Sequence, residues 1–184
     1  MIIGITGTDG AGKGTVVDYL VNEKGFAHYH ARTLLIEEIE KQGLEVNRAN
    51  MRIVANDLRR EHGNDYIVAF FLDRAKKTGD KKVVIDSLRA LAEAETLKKA
   101  GGILITVDAD QEVRFERVQK RRSESDKVSF EEFAKHEELE MNDPDPHGMQ
   151  KQKVMEMAEY TVLNNGTFED VYVQVESILK KISG

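Results

Sequence analysis

Lys13 follows Gly7 and Gly12 in the stretch GITGTDGAGKGT, residues 4–15, at the spacing G-x-x-x-x-G-K. Those residue types suit phosphate for physical reasons. Glycines let successive backbone N–H groups turn inward with no side chain in the way. The helix that follows adds the positive end of its dipole, and Lys13 brings a full positive charge to the outer phosphates. The cradle would be Asp9, Gly10, Ala11, Gly12, Lys13, Gly14 and Thr15. After Lys13 stands Gly14, with a hydroxyl only at Thr15, so the direct side-chain ligand that many nucleotide hydrolases offer to Mg²⁺ is missing. Thr15 is expected to bond an inner phosphate, and Mg²⁺ to be held mainly by nucleotide and water.

Asp86 closes an apolar run, Val83 to Ile85, and should project at the carboxyl edge of a sheet beside the phosphate loop, where it could accept hydrogen bonds from water on Mg²⁺. A helix N-cap is the structural alternative. Arg114, Arg117 and Arg121 are spaced to share one helical face, an arrangement suited to polyanions unless acids such as Glu116 neutralise it. Arg48, Arg52, Arg59 and Arg60 lie in NRANMRIVANDLRREHG, with Arg52 and Arg59 one heptad apart. His28 and His30 alternate along a strand; lacking a third ligand, they read as ordinary strand-end residues.

The elements that must position these groups are short apolar runs alternating with helical periods. Strands are expected at Ile2 to Thr6, Phe26 to His30, Lys82 to Asp86, Ile103 to Val107 and Tyr160 to Leu163. Helices are expected at Gly14 to Asn22, over a broad region from Thr33 to Lys77, at Ala90 to Lys99, at Gln111 to Arg122, and at Phe168 to Lys181 behind a Thr167–Asp170 capping pair. This alternation predicts a parallel sheet covered on both faces. Residues 121–149 are very polar and hold both prolines; Ser129 and Glu132 make a capping box inside them. That segment is either a solvated excursion or a mobile lid.

The 184 residues suit a single domain, and 40% hydrophobic with 33% charged residues is an ordinary globular composition. No apolar run approaches the ~20 residues of a membrane span, and the N-terminus lacks the pattern of a signal peptide. The absence of cysteine excludes disulfides and thiolate metal sites and fits a cytoplasmic protein. A net charge of −6 argues against nucleic acid as the main partner.

GTDGAGKGT resembles the phosphate loop of the adenylate kinase and nucleoside monophosphate kinase family, in which G-K-G-T is the usual ending. VVIDSLR is similar to that family's third strand, RFERVQKR to its arginine pair at the lid base, and NNGT to the loop that packs on the base of ATP. The resemblance implies a three-layer α/β P-loop NTPase fold with a five-stranded parallel sheet in the order 2-3-1-4-5. Within one domain, 1–184, residues 31–80 would be the helical acceptor-binding insertion and 121–149 the lid. It further implies ATP and Mg²⁺ as cofactors and phosphoryl transfer to a (deoxy)nucleoside monophosphate. Lys13, Arg117, Arg121 and Asp86 would be catalytic, Asn165 and Gly166 would meet the nucleotide, and Arg52, Arg59 and Arg89 the acceptor. The family's acceptor-site arginine after the second strand has no match: Ile36 stands near that place, with Arg32 earlier. The C-terminal AEYTVLNNGTFEDVYVQV also looks like dephospho-coenzyme A kinase, which would need a general base such as Asp9. A slowly hydrolysing nucleotide switch is the third reading.

Overall fold

All of β3 (Val83–Asp86) is buried, and its side chains alternate between the two faces of the sheet, which divides the core in two. Val83 and Ile85 face one side of the sheet, with helices α2 (Ala31–Lys41), α3 (Arg48–His62), α4 (Tyr66–Thr78), α5 (Leu91–Lys99) and α8 (Lys151–Glu156). Val84 faces the other, with α1 (Lys13–Asn22) and α9 (Phe168–Ser183). The computed structural model describes residues 1–120 and 129–183.

All pairings in the sheet are parallel, in the order β2-β3-β1-β4-β5, as the resemblance implies. β1 (Ile2–Gly7) is the central strand, β2 (Ala27–His30) and β5 (Tyr160–Leu163) are the edges, and β4 (Ile103–Asp108) completes the set. The crossovers diverge to either side of β1, so its carboxyl end opens into the crevice where such sheets place ligands. Gly4 lets α5 approach: a Cβ there would lie 2.5 Å from Leu97 Cδ2.

The expected strands are found within a residue or two at their ends. The broad helical region is three helices rather than one. Gly43, with φ +68°, and the Asn47 cap, whose side chain accepts from the N–H of Asn50, separate α2 from α3; Gly63, with φ +109°, separates α3 from α4. α6 (Gln111–Lys120) and α7 (Phe130–Met141) follow. The Ser129–Glu132 capping box starts α7, and Thr167 with Asp170 caps α9, both as expected. Helix α8 carried no periodic signal in the sequence.

Candidate functional site

The loop between β1 and α1 is held from two sides. On one, Arg114 of α6 is buried; its Nε donates to Ala109 O at 2.8 Å, and it pairs with Glu137 of α7. On the other, Asn164 at the end of β5 is 5% exposed and donates from Nδ2 to Ala11 O at 2.8 Å. Two glycines make this contact possible. A Cβ at Gly10 (φ +82°) would lie 2.5 Å from Arg114 O, and one at Gly12 (φ +85°) only 2.2 Å from Asn164 Nδ2. Gly12 stands at the N-cap of α1 and makes no side-chain cap bond.

Lys13 Nζ curls over this loop, donating to Thr8 O at 2.8 Å and Gly7 O at 3.0 Å, with Asp9 Oδ1 3.8 Å away. Burial pushes its ammonium down to about 8; Asp9 opposes that, and Lys151 and Arg89 reinforce it. Burial also disfavours the Asp9 carboxylate, yet the cations Lys151, Arg89 and Lys13 outweigh it and hold the group well below the usual carboxylate range. Burial weighs against the Arg89 guanidinium too, but Asp9, Glu140, Glu93 and Asp86 raise it above its ordinary value. Asp9 and Lys13 of the phosphate loop and Arg89 of the VVIDSLR stretch thus meet in one charge cluster.

Lys151, at the start of α8, was not singled out by the sequence. It is 3% exposed, pairs with Asp9 Oδ1 at 3.0 Å, and pairs with Glu140 of α7. As one of 27 lysines and arginines, in a polar stretch, it carried no distinguishing signal. Removing one partner of a buried pair is costly, but Asp9 keeps Lys13 and Arg89, so Lys151→Met is expected to lower stability by only about 1–2 kcal/mol. Urea unfolding at pH 7 would measure it.

Asp86 is 8% exposed and no helix begins until Leu91, so it is not an N-cap. Its Oδ1 is buried without a hydrogen-bond partner. The chain then turns through Ser87 at φ +65°, a conformation that costs a non-glycine residue about 1 kcal/mol, before Leu88 N donates to Ile5 O. Beside Asp86 stand His28, Nε2 3.3 Å from Oδ2, and His30, Nε2 3.6 Å from Oδ1. Burial lowers the His30 pKa, with Asp86 opposing and His28, Arg32 and Arg89 reinforcing.

Arg117 donates from Nη2 to Asn164 Oδ1 at 3.3 Å, and its buried Nη1 has no hydrogen-bond partner. Arg121 lies outside the described residues. Asn165 is exposed and exchanges hydrogen bonds with Asp110, and Gly166 sits against Asp170, whose Oδ2 a Cβ would meet at 2.4 Å. Asn164, the residue before, is the one that touches both loop and Arg117.

Arg52 and Arg59 of α3 pair with carboxylates of their own. Arg59 is 3% exposed, with Nε and Nη2 donating to Glu93 Oε1 at 3.1 and 2.9 Å. Glu93, 1% exposed, also accepts from the N–H groups of Arg89 and Ala90. Arg52 Nη2 donates to Asp143 Oδ2 at 2.6 Å, and Asn56 Nδ2 to Asp145 Oδ2 at 3.1 Å. Asn64 and His147 complete this seam between residues 142–150 and α3.

A central-strand glycine loop carrying Lys13, on a five-stranded parallel sheet of order 2-3-1-4-5, defines an α/β protein of the P-loop NTPase type. Shikimate kinase from Bacteroides thetaiotaomicron superposes with a TM-score of 0.63, covering 100% of this chain and 99% of that one; at 13% identity it shows the fold alone. Residues 3–160 match the AAA domain family (AAA_18), and the UPF0200 protein of Methanosarcina mazei is 32% identical over 97% of this chain and 93% of its own length, so the chain belongs to that AAA domain family and to UPF0200. The UPF0200/UPF0201 protein of Archaeoglobus fulgidus is also 32% identical, and this chain spans 56% of its length. No helix among the described residues is long and apolar enough to cross a membrane.

Proposed function

We propose that this protein transfers the terminal phosphoryl group of ATP to a small phosphorylated acceptor, a (deoxy)nucleoside monophosphate, in the manner of adenylate kinase-like enzymes. The observation that carries this reading is the buried charge cluster over the loop, in which Lys13, Arg89 and Lys151 converge on Asp9. In the reaction an acceptor phosphate oxygen bonds to the γ-phosphorus while the bond to the bridging oxygen breaks, and ADP leaves.

The loop amides and Lys13 neutralise the donor phosphates, and Arg89 holds the acceptor phosphate. Arg117, with Nη1 unpartnered, and Arg121 close on the transferring group as residues 121–149 fold down, excluding water and suppressing hydrolysis. Residues 31–80 form the acceptor side, with Arg52 facing it and Arg59 supporting it through Glu93. Asn165 and Gly166 flank the nucleotide base. Asp86, which ends β3 beside β1 and its loop, would hold Mg²⁺ through water; when bound the ion would neutralise charge on the outer phosphates. A chain without cysteine fits a cytoplasmic setting for this chemistry.

A hydroxyl acceptor, as in dephospho-coenzyme A kinase, would need Asp9 as base. A carboxyl held so far below its usual range takes a proton poorly, which favours an acceptor that is already nucleophilic. The test is ADP release from Mg·ATP across ribo- and deoxynucleoside monophosphates and dephospho-coenzyme A, against a no-acceptor control. Stimulation by one monophosphate is the expected result. Stimulation only by dephospho-coenzyme A overturns the acceptor assignment, and none by any acceptor leaves the switch reading.

A further inference from the structure

We propose that His28, His30 and Asp86 form a binding site for a divalent transition-metal ion of the zinc class, on the β2–β3 side of the phosphate loop and separate from nucleotide-borne Mg²⁺. Strand geometry builds it. His28 and His30 are two residues apart on β2 and share one side of the sheet, while the parallel register sets His30 directly beside Asp86 of β3. The two imidazoles stack, with centroids 5.4 Å apart and planes 15° from parallel. Both present Nε2 to one carboxylate, at 3.3 and 3.6 Å, and one donor atom from each of the three residues lies within 4.8 Å of the others. Bonds of 2.0–2.1 Å to a tetrahedral ion set its donors about 3.3 Å apart, so the three groups need little movement to share one.

The unpartnered Asp86 Oδ1 is an independent sign. A carboxylate oxygen shut away from water at 8% residue exposure normally accepts a hydrogen bond, and this one lies 3.6 Å from His30 Nε2 without one. An ion between the three side chains would satisfy it. Two imidazoles and a carboxylate, with no thiolate, suit zinc, cobalt, nickel or iron better than magnesium, which prefers oxygen donors and keeps its water. Both histidine side chains remain about one-third exposed, which leaves a coordination position open toward solvent. Arg32 and Arg89 are the nearby cations; they moderate the affinity and would favour an anion at the open position. A carboxylate has about four lone-pair sites, so direct ligation of this ion leaves room for water carried by Mg²⁺.

The test is titration of tag-free, nucleotide-free protein with Co²⁺ and Zn²⁺, read by cobalt d–d absorption and calorimetry. One ion per chain is expected, with His28→Ala and His30→Ala each weakening it at least about 10-fold, and Asp86→Asn likewise. Circular dichroism confirms that each variant is folded, and the isosteric Asp86→Asn serves if an alanine variant is not. Lys13→Ala should bind Co²⁺ as the parent does, which separates this site from the nucleotide reading. Binding unchanged in the histidine variants, or displacement of Co²⁺ by an equal concentration of Mg²⁺, overturns the proposal.

Discussion

Lys13→Ala should reduce acceptor-stimulated ADP release by about 10²–10³-fold while leaving the protein folded. The magnitude is that of one preorganised group on developing transition-state charge, about 3–4 kcal/mol. Stability behaves differently because the ammonium is costly in the free protein. With the folded pKa depressed from 10.5 to about 8, the unfolded chain binds more protons than the folded one between those values. Stability from this group therefore rises with pH across the window from 8 to 10.5, and the full penalty, about 3 kcal/mol, is present below pH 8. Nucleotide phosphates remove that penalty by pairing with the lysine, so binding near pH 8.5 should take up a proton. Calorimetry in buffers of different ionisation heat would register the uptake, and Lys13→Ala should abolish it. Full transfer rates in this variant would sink the central assignment.

Arg59→Ala is expected to lower unfolding free energy by about 3 kcal/mol or more, the largest stability effect of any single change considered. It leaves the Glu93 carboxylate, 1% exposed, without its cation in the core. The N–H groups of Arg89 and Ala90 still solvate that carboxylate, which keeps the loss at the low end of the range for broken buried pairs. Adding Glu93→Gln should recover part of it, because the neutral amide no longer needs a partner charge. Urea unfolding of the single and double variants measures both steps. Acceptor KM in the double variant then separates two roles: a support acting through Glu93 leaves KM near the parent value, whereas direct contact with the acceptor raises it.

The sheet was legible because short continuous apolar runs, the mark of strands buried on both faces, recur between helical stretches. The helices of residues 31–78 were not resolved from one another, because what divides them is local: positive φ at Gly43 and Gly63 and the Asn47 cap at the start of α3. Pairings at long range were out of reach. Nothing in a polar run announces that Lys151 will meet Asp9, 142 positions away, because charge carries no address. Asn164 was recoverable: strand alternation runs Val162 in, Leu163 out, Asn164 in, and extending it one step beyond β5 separates Asn164 from Asn165. His28 and His30 were recognised as a pair, but their third donor lies on another strand and needs the β2–β3 register.

The seam between α3 and residues 142–150 ties two segments distant in sequence into one thermodynamic unit. Arg52 holds Asp143 across 91 positions, and Asn56 holds Asp145 across 89. An anion that takes Arg52 Nη2 competes with Asp143 for it, and anything that draws residues 142–150 away frees that donor. Affinity at α3 and the position of that loop are then two readings of a single coupling free energy, equal in size whichever end it is approached from.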